Sequence, residues 1–397
     1  MISDRVLNME ESATLAMAAK ARSLKEQGHD VISLSLGEPD FKTPEHICDG
    51  AKKAIDEGKY FAYPPVAGYN DLREAIAKKL RKENNIKEAE AKHIAVSNGA
   101  KQSIANLMFS LINPGDEVII FAPYWVSYSA LVALPGGTPV FVDGGIETEF
   151  KVTAEQVEAA ITPKTKAILF SSPCNPTGAV FLEEELRAIA EVVKKHENIL
   201  VLADEIYEHI NYTGKHFSIA SIEGMFDRTV TINGFAKGFA MTGWRVGYIC
   251  GPEWVVKACM KIQGQTTSAN CSIAQRAALT ALQEDLGPTI EMGKAYEKRK
   301  GIVAELLGEI PGVKSNNPQG AFYFFPDVSA FFGKSDGETT ISDASDLCLY
   351  ILDKSHVSLV EGGAFGAPNC IRLSYAASEE DLREALKRLK EVLGRLS

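Results

Sequence analysis

The sequence predicts an α/β fold: a large domain with a mostly parallel sheet flanked by helices, joined to a smaller α+β domain. Two patterns carry this expectation. From about residue 93 to residue 250, short apolar runs alternate with helically spaced stretches. Strands that read as continuous apolar runs, interleaved with helices, belong to parallel sheets covered on both faces. From about residue 290 the pattern changes to a long charged helix, scattered short strands and a charged terminal helix. A length of 397 residues suits two or three domains. The expected division is an N-terminal segment, 1–44, contributing to the small domain, a large cofactor-binding domain, 45–290, and a small C-terminal domain, 291–397.

Element by element, residues 12–27 have helical spacing and end near Gly28, and 31–36 form a short strand before Gly37-Glu-Pro-Asp40. Thr43-Pro-Glu45 reads as a helix start, with a capping threonine and proline in the first turn. Residues 72–81 are amphipathic. The alternating region then predicts strands at 93–97, 117–121, 139–142, 166–171, 199–203, 229–232 and 245–250. Helices are expected between them at 101–111, 125–134, 154–160 and 183–196. Beyond, 291–307 and 379–396 are helices, the latter with i,i+4 charge pairs, and 322–325, 357–360 and 371–374 are strands.

Bulk composition narrows the function. A net charge of -10 argues against nucleic-acid and anionic-membrane partners. The seven cysteines form no Cys-x-x-Cys pair, and the histidines lack metal-ligand spacing. This pattern fits free thiols in a reducing compartment, so the expected location is the cytoplasm and no metal is expected. His209 and His216 are read as structural or solvated. The longest uncharged stretch, 118–142, is interrupted by three prolines and two glycines, which excludes a membrane-spanning helix there.

The residues that follow the predicted strands carry the chemistry. Lys237 lies among small and apolar residues just past a strand. Burial there lowers an amine's pKa and frees it to attack a carbonyl. Arg245, eight residues later, offers a fork that suits a phosphate. A phosphorylated carbonyl cofactor fits both, and pyridoxal phosphate answers that description. Asp204 follows an apolar strand and is a candidate either to pair with a pyridine nitrogen or to cap a helix; Tyr207, three residues on, is a candidate either to donate to a ring oxygen or to pack in the core. Asn175, in a Pro- and Gly-rich turn, is a candidate for the same oxygen or the substrate. Gly99 and Ala100 lie at a strand-to-helix junction whose N–H groups can meet a phosphate. Trp125 can stack on a ring, and Arg372, on an apolar strand, needs a carboxylate from the protein or from a substrate.

Taken in order, Gly37-Glu-Pro-Asp40, Tyr63-Pro-Pro-x-x-Gly68, Gly99-Ala-Lys101, Pro123-Tyr-Trp125, Asn175-Pro-Thr-Gly178, Asp204-Glu-Ile-Tyr207, Lys237 with Met241-Thr-Gly-Trp-Arg245, and Arg372-Leu-Ser resemble the class I pyridoxal-phosphate-dependent aminotransferases. The similarity runs nearly the whole chain and is strongest to the bacterial aspartate and prephenate branch. It implies the fold type I architecture of pyridoxal 5'-phosphate enzymes and the transfer of an amino group from L-aspartate to 2-oxoglutarate by a ping-pong route. It further implies that Lys237 carries the cofactor and moves the proton at the substrate α-carbon, with Asp204 at the pyridine nitrogen and Tyr207 and Asn175 at the ring oxygen. Gly99, Ala100, Lys101 and Arg245 would line the phosphate and ring, and Trp125 would stack on the ring. Arg372 would clamp the α-carboxylate with Asn175 and the Gly37 loop. Ser12, Thr14 and Lys101 would meet the distal carboxylate. Tyr63 would reach the cofactor phosphate of a second subunit, implying a homodimer with shared sites. Three positions depart from the pattern: Ala236 precedes the lysine where serine is frequent, Cys174 precedes Asn175, and Glu361-Gly-Gly-Ala-Phe365-Gly replaces a Pro-Gly loop entry. The rival expectations are a prephenate or an aromatic/kynurenine-type aminotransferase, and a non-catalytic regulator that senses pyridoxal phosphate.

Overall fold

The computed structural model of the chain describes residues 2–7, 9, 11 and 13–397. Seven strands form the main sheet: β1 (Ile94–Ser97), β2 (Glu117–Ala122), β3 (Thr138–Asp143), β4 (Thr165–Ser171), β5 (Leu200–Asp204), β6 (Thr229–Gly234) and β7 (Gly247–Cys250). Their order is β1-β7-β6-β5-β4-β2-β3. Strand β7 is antiparallel to both neighbours, and the other strands share one direction. The period-2 alternation of side chains explains why these strands read as unbroken apolar runs. Ile120, Leu169 and Leu202 face Ile104, Leu107 and Met108 of the helix Ala100–Leu111. Their neighbours Ile119, Ile168 and Val201 face the other way, onto Leu186, Ile189 and Val193 of the helix Glu183–Lys194. All six strand residues are fully buried, and each such aliphatic side chain contributes about 1.5–3 kcal/mol. The helix Glu183–Lys194 opens with three glutamates and ends in lysine, in accord with its dipole.

A separate apolar cluster joins the two ends of the chain. Met17 and Ala21 of the helix Ala13–Glu26, with Val31 and Leu34, pack with Phe322, Phe324, Leu347, Leu373 and Leu386. Two small sheets sit there: Ile32–Ser33 parallel to Val357–Ser358, and Val360–Glu361 with Ile371–Ser374 and Tyr323–Phe324, all antiparallel. Leu34 links the two sheets, since its N–H donates to Ser358 O and its carbonyl accepts from Ser374 N. The expected strands 31–36 and 357–360 are therefore shorter: the first keeps two residues, and the second divides between two sheets at Leu359.

Other local differences have physical causes. Thr43 does not cap the helix Glu45–Glu57; Pro44 holds the N-cap position. The Thr43 hydroxyl is used in tertiary contacts, donating to Ala240 O at 2.6 Å and accepting from Trp244 Nε1 at 3.0 Å. The expected strand 245–250 begins at Gly247, because Arg245 takes a left-handed conformation, φ 56°. The helices Glu253–Thr266 and Ser272–Gln283 were not expected from the sequence: beside Val255 and Val256, their buried positions are filled mostly by small or polar residues such as Cys259, Gln263, Ala274, Gln275, Ala277 and Ala278. No helix among the described residues is long and apolar enough to cross a membrane.

Just past β5, Glu205 and Glu208 enter a buried polar network. Lys79 and Asn84 donate to Glu208, Ser218 donates to Glu205 at 2.6 Å, and His216 Nε2 lies 3.0 Å from Glu205. Burial pushes the Glu208 carboxyl up, but the charges of Lys79, His209 and His216 outweigh it and hold it at about 2. His216 belongs to this network, and Lys79 sets a positive charge beside Glu208. The network pins the helix Asn70–Glu83 to the segment that carries Asp204 and Tyr207.

Candidate active site

Strand register brings the candidate residues to one edge of the sheet. Ser97 and Gly234 both pair with Gly247, and Asp204 lies between Ser171 and Ile232. Asn98 and Gly99 follow β1, Trp125 follows β2, Asn175 follows β4, Asp204 ends β5, Lys237 follows β6 and Arg245 precedes β7. Ligands bind beyond the carboxyl ends of parallel strands, and here these loops surround a cavity of about 290 Å³. Ala100, Lys101, Trp125, Asn175, Asp204, Tyr207, Lys237, Arg245 and Arg372 line it, together with Gly37 and Thr14.

The Lys237 amine donates to the Gly37 carbonyl. Burial pulls its pKa down to about 8, with Glu38 opposing and the charges of Arg372 and Arg245 assisting. An ordinary lysine is almost wholly ammonium near neutral pH, whereas this one holds a substantial free-amine fraction. Asp204, 5% exposed, has its carboxyl raised to about 6 by burial; hydrogen bonds from Tyr128 and from Ile206 N work against that rise. Tyr128 Oη donates to Asp204 Oδ2 at 2.7 Å, and Ile206 N to Oδ1 at 3.2 Å. A carboxylate so desolvated gains from a cationic partner, which a protonated ring nitrogen supplies.

Arg372 is 2% exposed. Its Nη1 donates to Asn175 Oδ1 at 2.9 Å and its Nη2 to Ser35 O at 2.6 Å, while Nε is buried without a partner among the described residues. Its guanidinium lies over the rings of Tyr323 and Phe365, 4.7 and 4.9 Å from their centroids. Among the described residues no carboxylate pairs with it. A buried guanidinium without a counter-ion is costly unless a ligand brings one, so this side chain is built to receive an anion. With its Oδ1 engaged, Asn175 offers a ligand its amide N–H groups. Tyr207 and Tyr323 share a 2.8 Å hydrogen bond; burial raises both phenols, so both remain protonated donors.

The anion cradle forms at the other side. Gly99 has φ 80°, and a Cβ there would lie 2.3 Å from Arg245 Nη2. The close approach of the guanidinium to the start of the helix Ala100–Leu111 therefore requires glycine. Arg245 is exposed and donates to Thr242 O at 2.8 Å and Asn98 O at 3.2 Å. A helix N-terminus beside an arginine fork suits a phosphate. Amine, carboxylate, cradle and orphan guanidinium together fit a phosphorylated pyridine aldehyde with a carboxylate substrate beside it.

The rim is more open. Lys101 is exposed, its amine 4.9 Å from the centroid of the Trp125 ring, and its pKa is lowered by burial and then by Arg245. Thr14 lines the cavity, and its buried Oγ1 has no partner among the described residues. Ser12 lies outside the described residues. Tyr63 is 94% exposed and does not line the cavity of its own chain. Sequence reasoning missed Tyr128, Tyr323, Ser35, Leu15 and Leu36. Tyr128 had a usable signal, standing three residues after Trp125 where one helical turn brings both to one face. Tyr323 had none, being one aromatic in the run Phe322-Tyr-Phe-Phe325. The loop that departs from the family pattern is closely packed: a Cβ at Gly362 would lie 2.3 Å from Ala367 O, and Phe365 O accepts from Tyr124 N.

Comparison with known proteins agrees with this geometry. The family profile of aminotransferase class I and II matches residues 29–389. The aspartate/prephenate aminotransferase of Cereibacter sphaeroides is 46% identical, covering 100% of this chain and 99% of its own. The aspartate aminotransferase of Geobacillus stearothermophilus is 43% identical, with 98% of each chain covered. Among solved structures, the aspartate aminotransferase of Thermus thermophilus with maleate superposes with a TM-score of 0.93 at 43% identity, covering 99% of each chain.

Proposed function

The chain belongs to the class I and II aminotransferases, and from that premise we propose that it moves the amino group of L-aspartate to 2-oxoglutarate with pyridoxal 5'-phosphate held at Lys237. The observation that carries the reading is Arg372: a buried guanidinium with no carboxylate partner among the described residues, opening on the same cavity as Lys237 and Asp204. Bound there, the cofactor supplies an electron-withdrawing ring that stabilises charge at the substrate α-carbon. The chain's own residues do the rest. Lys237, with its amine near pKa 8, takes the α-proton and returns it. Asp204 keeps a proton on the ring nitrogen, Tyr207 and Asn175 donate to the ring oxygen, and Trp125 covers the ring. Arg245, Gly99 and Ala100 hold the phosphate, and Arg372 with Asn175 and the Gly37 loop clamps the α-carboxylate.

For the distal carboxylate we assign Lys101 and Thr14, with Ser12. Support comes from the unpartnered Thr14 hydroxyl beside a lysine on the cavity rim, and from a relative whose structure holds maleate, a four-carbon dicarboxylate. A second reading, prephenate as an acceptor, is favoured by the apolar rim: Leu15 is 65% and Leu36 38% exposed, and both line the cavity beside Trp125. We further propose a homodimer in which Tyr63 reaches the partner's cofactor phosphate. The support is an exposed aromatic pair, Phe61 at 71% and Tyr63 at 94%. The division at residues 44 and 290 and a cytoplasmic location, consistent with seven free cysteines, complete the proposal. A panel of amino donors and 2-oxo acids, prephenate included, tests it on the purified protein with pyridoxal phosphate. The expected result is highest kcat/KM for aspartate with 2-oxoglutarate; inactivity with every dicarboxylic donor would refute it.

A further inference from the structure

We propose that Tyr128 is a positioning residue for the reaction: its phenol holds the Asp204 carboxylate ionised and oriented, so that Asp204 can keep a proton on the cofactor's ring nitrogen. This rests on the cofactor reading above and goes beyond it by assigning the residue that sets the state of Asp204.

The geometry is specific. Tyr128 is fully buried at the start of the short helix Ser127–Ala133. Its Oη meets Asp204 Oδ2 at 2.7 Å across 76 positions of sequence, and both residues line the cavity. Burial, followed by the charge of Asp204, raises the phenol well above its ordinary pKa. It therefore stays protonated, and the bond has one direction, phenol to carboxylate. The second donor to Asp204, Ile206 N, stands farther off at 3.2 Å.

The titratable groups that face Asp204 leave Tyr128 a decisive part. Glu205 opposes ionisation of Asp204, and Lys237 favours it. Cys174 is pushed up to about 11 by burial and stays a neutral thiol, and Tyr207 stays a phenol. Among the described residues, Tyr128, one backbone N–H and the Lys237 charge oppose the cost of burying the carboxylate. Tyr128 also packs edge-on against Trp125, with centroids 5.5 Å apart and planes at 87°. One side chain thus braces both the ring cover and the carboxylate. Replacing Tyr128 by phenylalanine keeps that packing and removes one hydroxyl.

The test is the affinity of the cofactor-free protein for pyridoxal 5'-phosphate, read by tryptophan fluorescence between about pH 5 and 9. In wild type, affinity falls as acidification protonates Asp204. In Tyr128→Phe that fall should begin at higher pH, by at least about half a unit, and affinity at neutral pH should drop about tenfold. In an Asp204→Asn background, Tyr128→Phe should cause no further loss, as expected if Tyr128 acts through Asp204. An unshifted profile, or the same loss in the Asp204→Asn background, would overturn the proposal. Tyr128→His, which retains a ring donor, serves if the phenylalanine variant does not fold. A pH profile close to that of wild type in it supports the proposal, and a fall that begins as early as the half-unit shift expected for Tyr128→Phe overturns it. Failure of the wild-type protein to bind would instead remove the cofactor reading itself.

Discussion

Asp204 and Arg372 are 5% and 2% exposed, and Tyr128, Ile206, Asn175 and Ser35 already engage their polar atoms, apart from Arg372 Nε. Lys101, Leu15 and Leu36 reach the same cavity from exposed positions, and Thr14 reaches it with an unpartnered hydroxyl. The first group forms a floor held by two sheets, Asp204 at a strand end of the main sheet and Arg372 opposite Val360 in a small one; the second forms a rim drawn from the helix Ala13–Glu26, the segment after Leu34 and the first turn of the helix after Gly99. The contrast teaches where binding energy is prepaid. Floor groups are desolvated and oriented before a ligand arrives, which is the condition for electrostatic catalysis. Lys101, Leu15 and Leu36 retain solvent, and the rim selects among ligands by matching charge.

Four substitutions break or sharpen this contrast, in decreasing order of effect. Arg372→Ala removes the charged member of the α-carboxylate clamp and should lower kcat/KM by about 10³-fold for every amino donor alike; steady-state kinetics with aspartate and with an apolar donor check this. A loss confined to dicarboxylic donors would place Arg372 on the rim instead. Asp204→Asn should stabilise the cofactor-free protein. Its carboxyl is raised to about 6 in the fold, so the folded state holds the extra proton between the ordinary value and 6. Stability therefore falls as pH rises through that window, and the cost is complete above it. At neutral pH the substitution should recover at most about 3 kcal/mol, a gain that vanishes towards pH 4, measurable by denaturant unfolding at both pH values.

On the rim, Lys101→Ala should lower kcat/KM for aspartate about 30-fold and leave donors without a distal carboxylate within about twofold. Equal losses for both donor types would move Lys101 into the floor. Thr14→Val should cost about fivefold for aspartate alone, the worth of one hydrogen bond. The same kinetic pair reads it, and an unchanged kcat/KM would mean that its hydroxyl meets no substrate.

The floor was largely legible in the sequence because its residues follow apolar strands. Asp204 ends the run Leu200–Asp204, and Lys237 stands three residues beyond Gly234; a parallel sheet places such positions on one edge. Tyr323 was not recognised, since it meets Tyr207 across 116 positions of sequence and no local spacing records that; the spacing of Tyr128 from Trp125 was there to use, but it does not disclose the bond to Asp204, 76 positions away. The rim was less legible for the same reason. Leu15 and Leu36 look like ordinary apolar positions of a helix and a strand, and only the packing of both chain ends into one cluster brings that segment to the cavity. The two-way split of residues 357–361 escaped notice because an apolar run does not show which neighbour each residue pairs with.

The most direct test of the account is spectroscopic titration of the purified protein with pyridoxal 5'-phosphate, in wild type and in Lys237→Ala. The account predicts that wild type takes up one cofactor per chain with a new absorbance band that L-aspartate discharges. Lys237→Ala should show no such band and should lose turnover by about 10⁴-fold or more. A wild-type protein that leaves the cofactor's spectrum unchanged, or a Lys237→Ala variant that turns over normally, would contradict it.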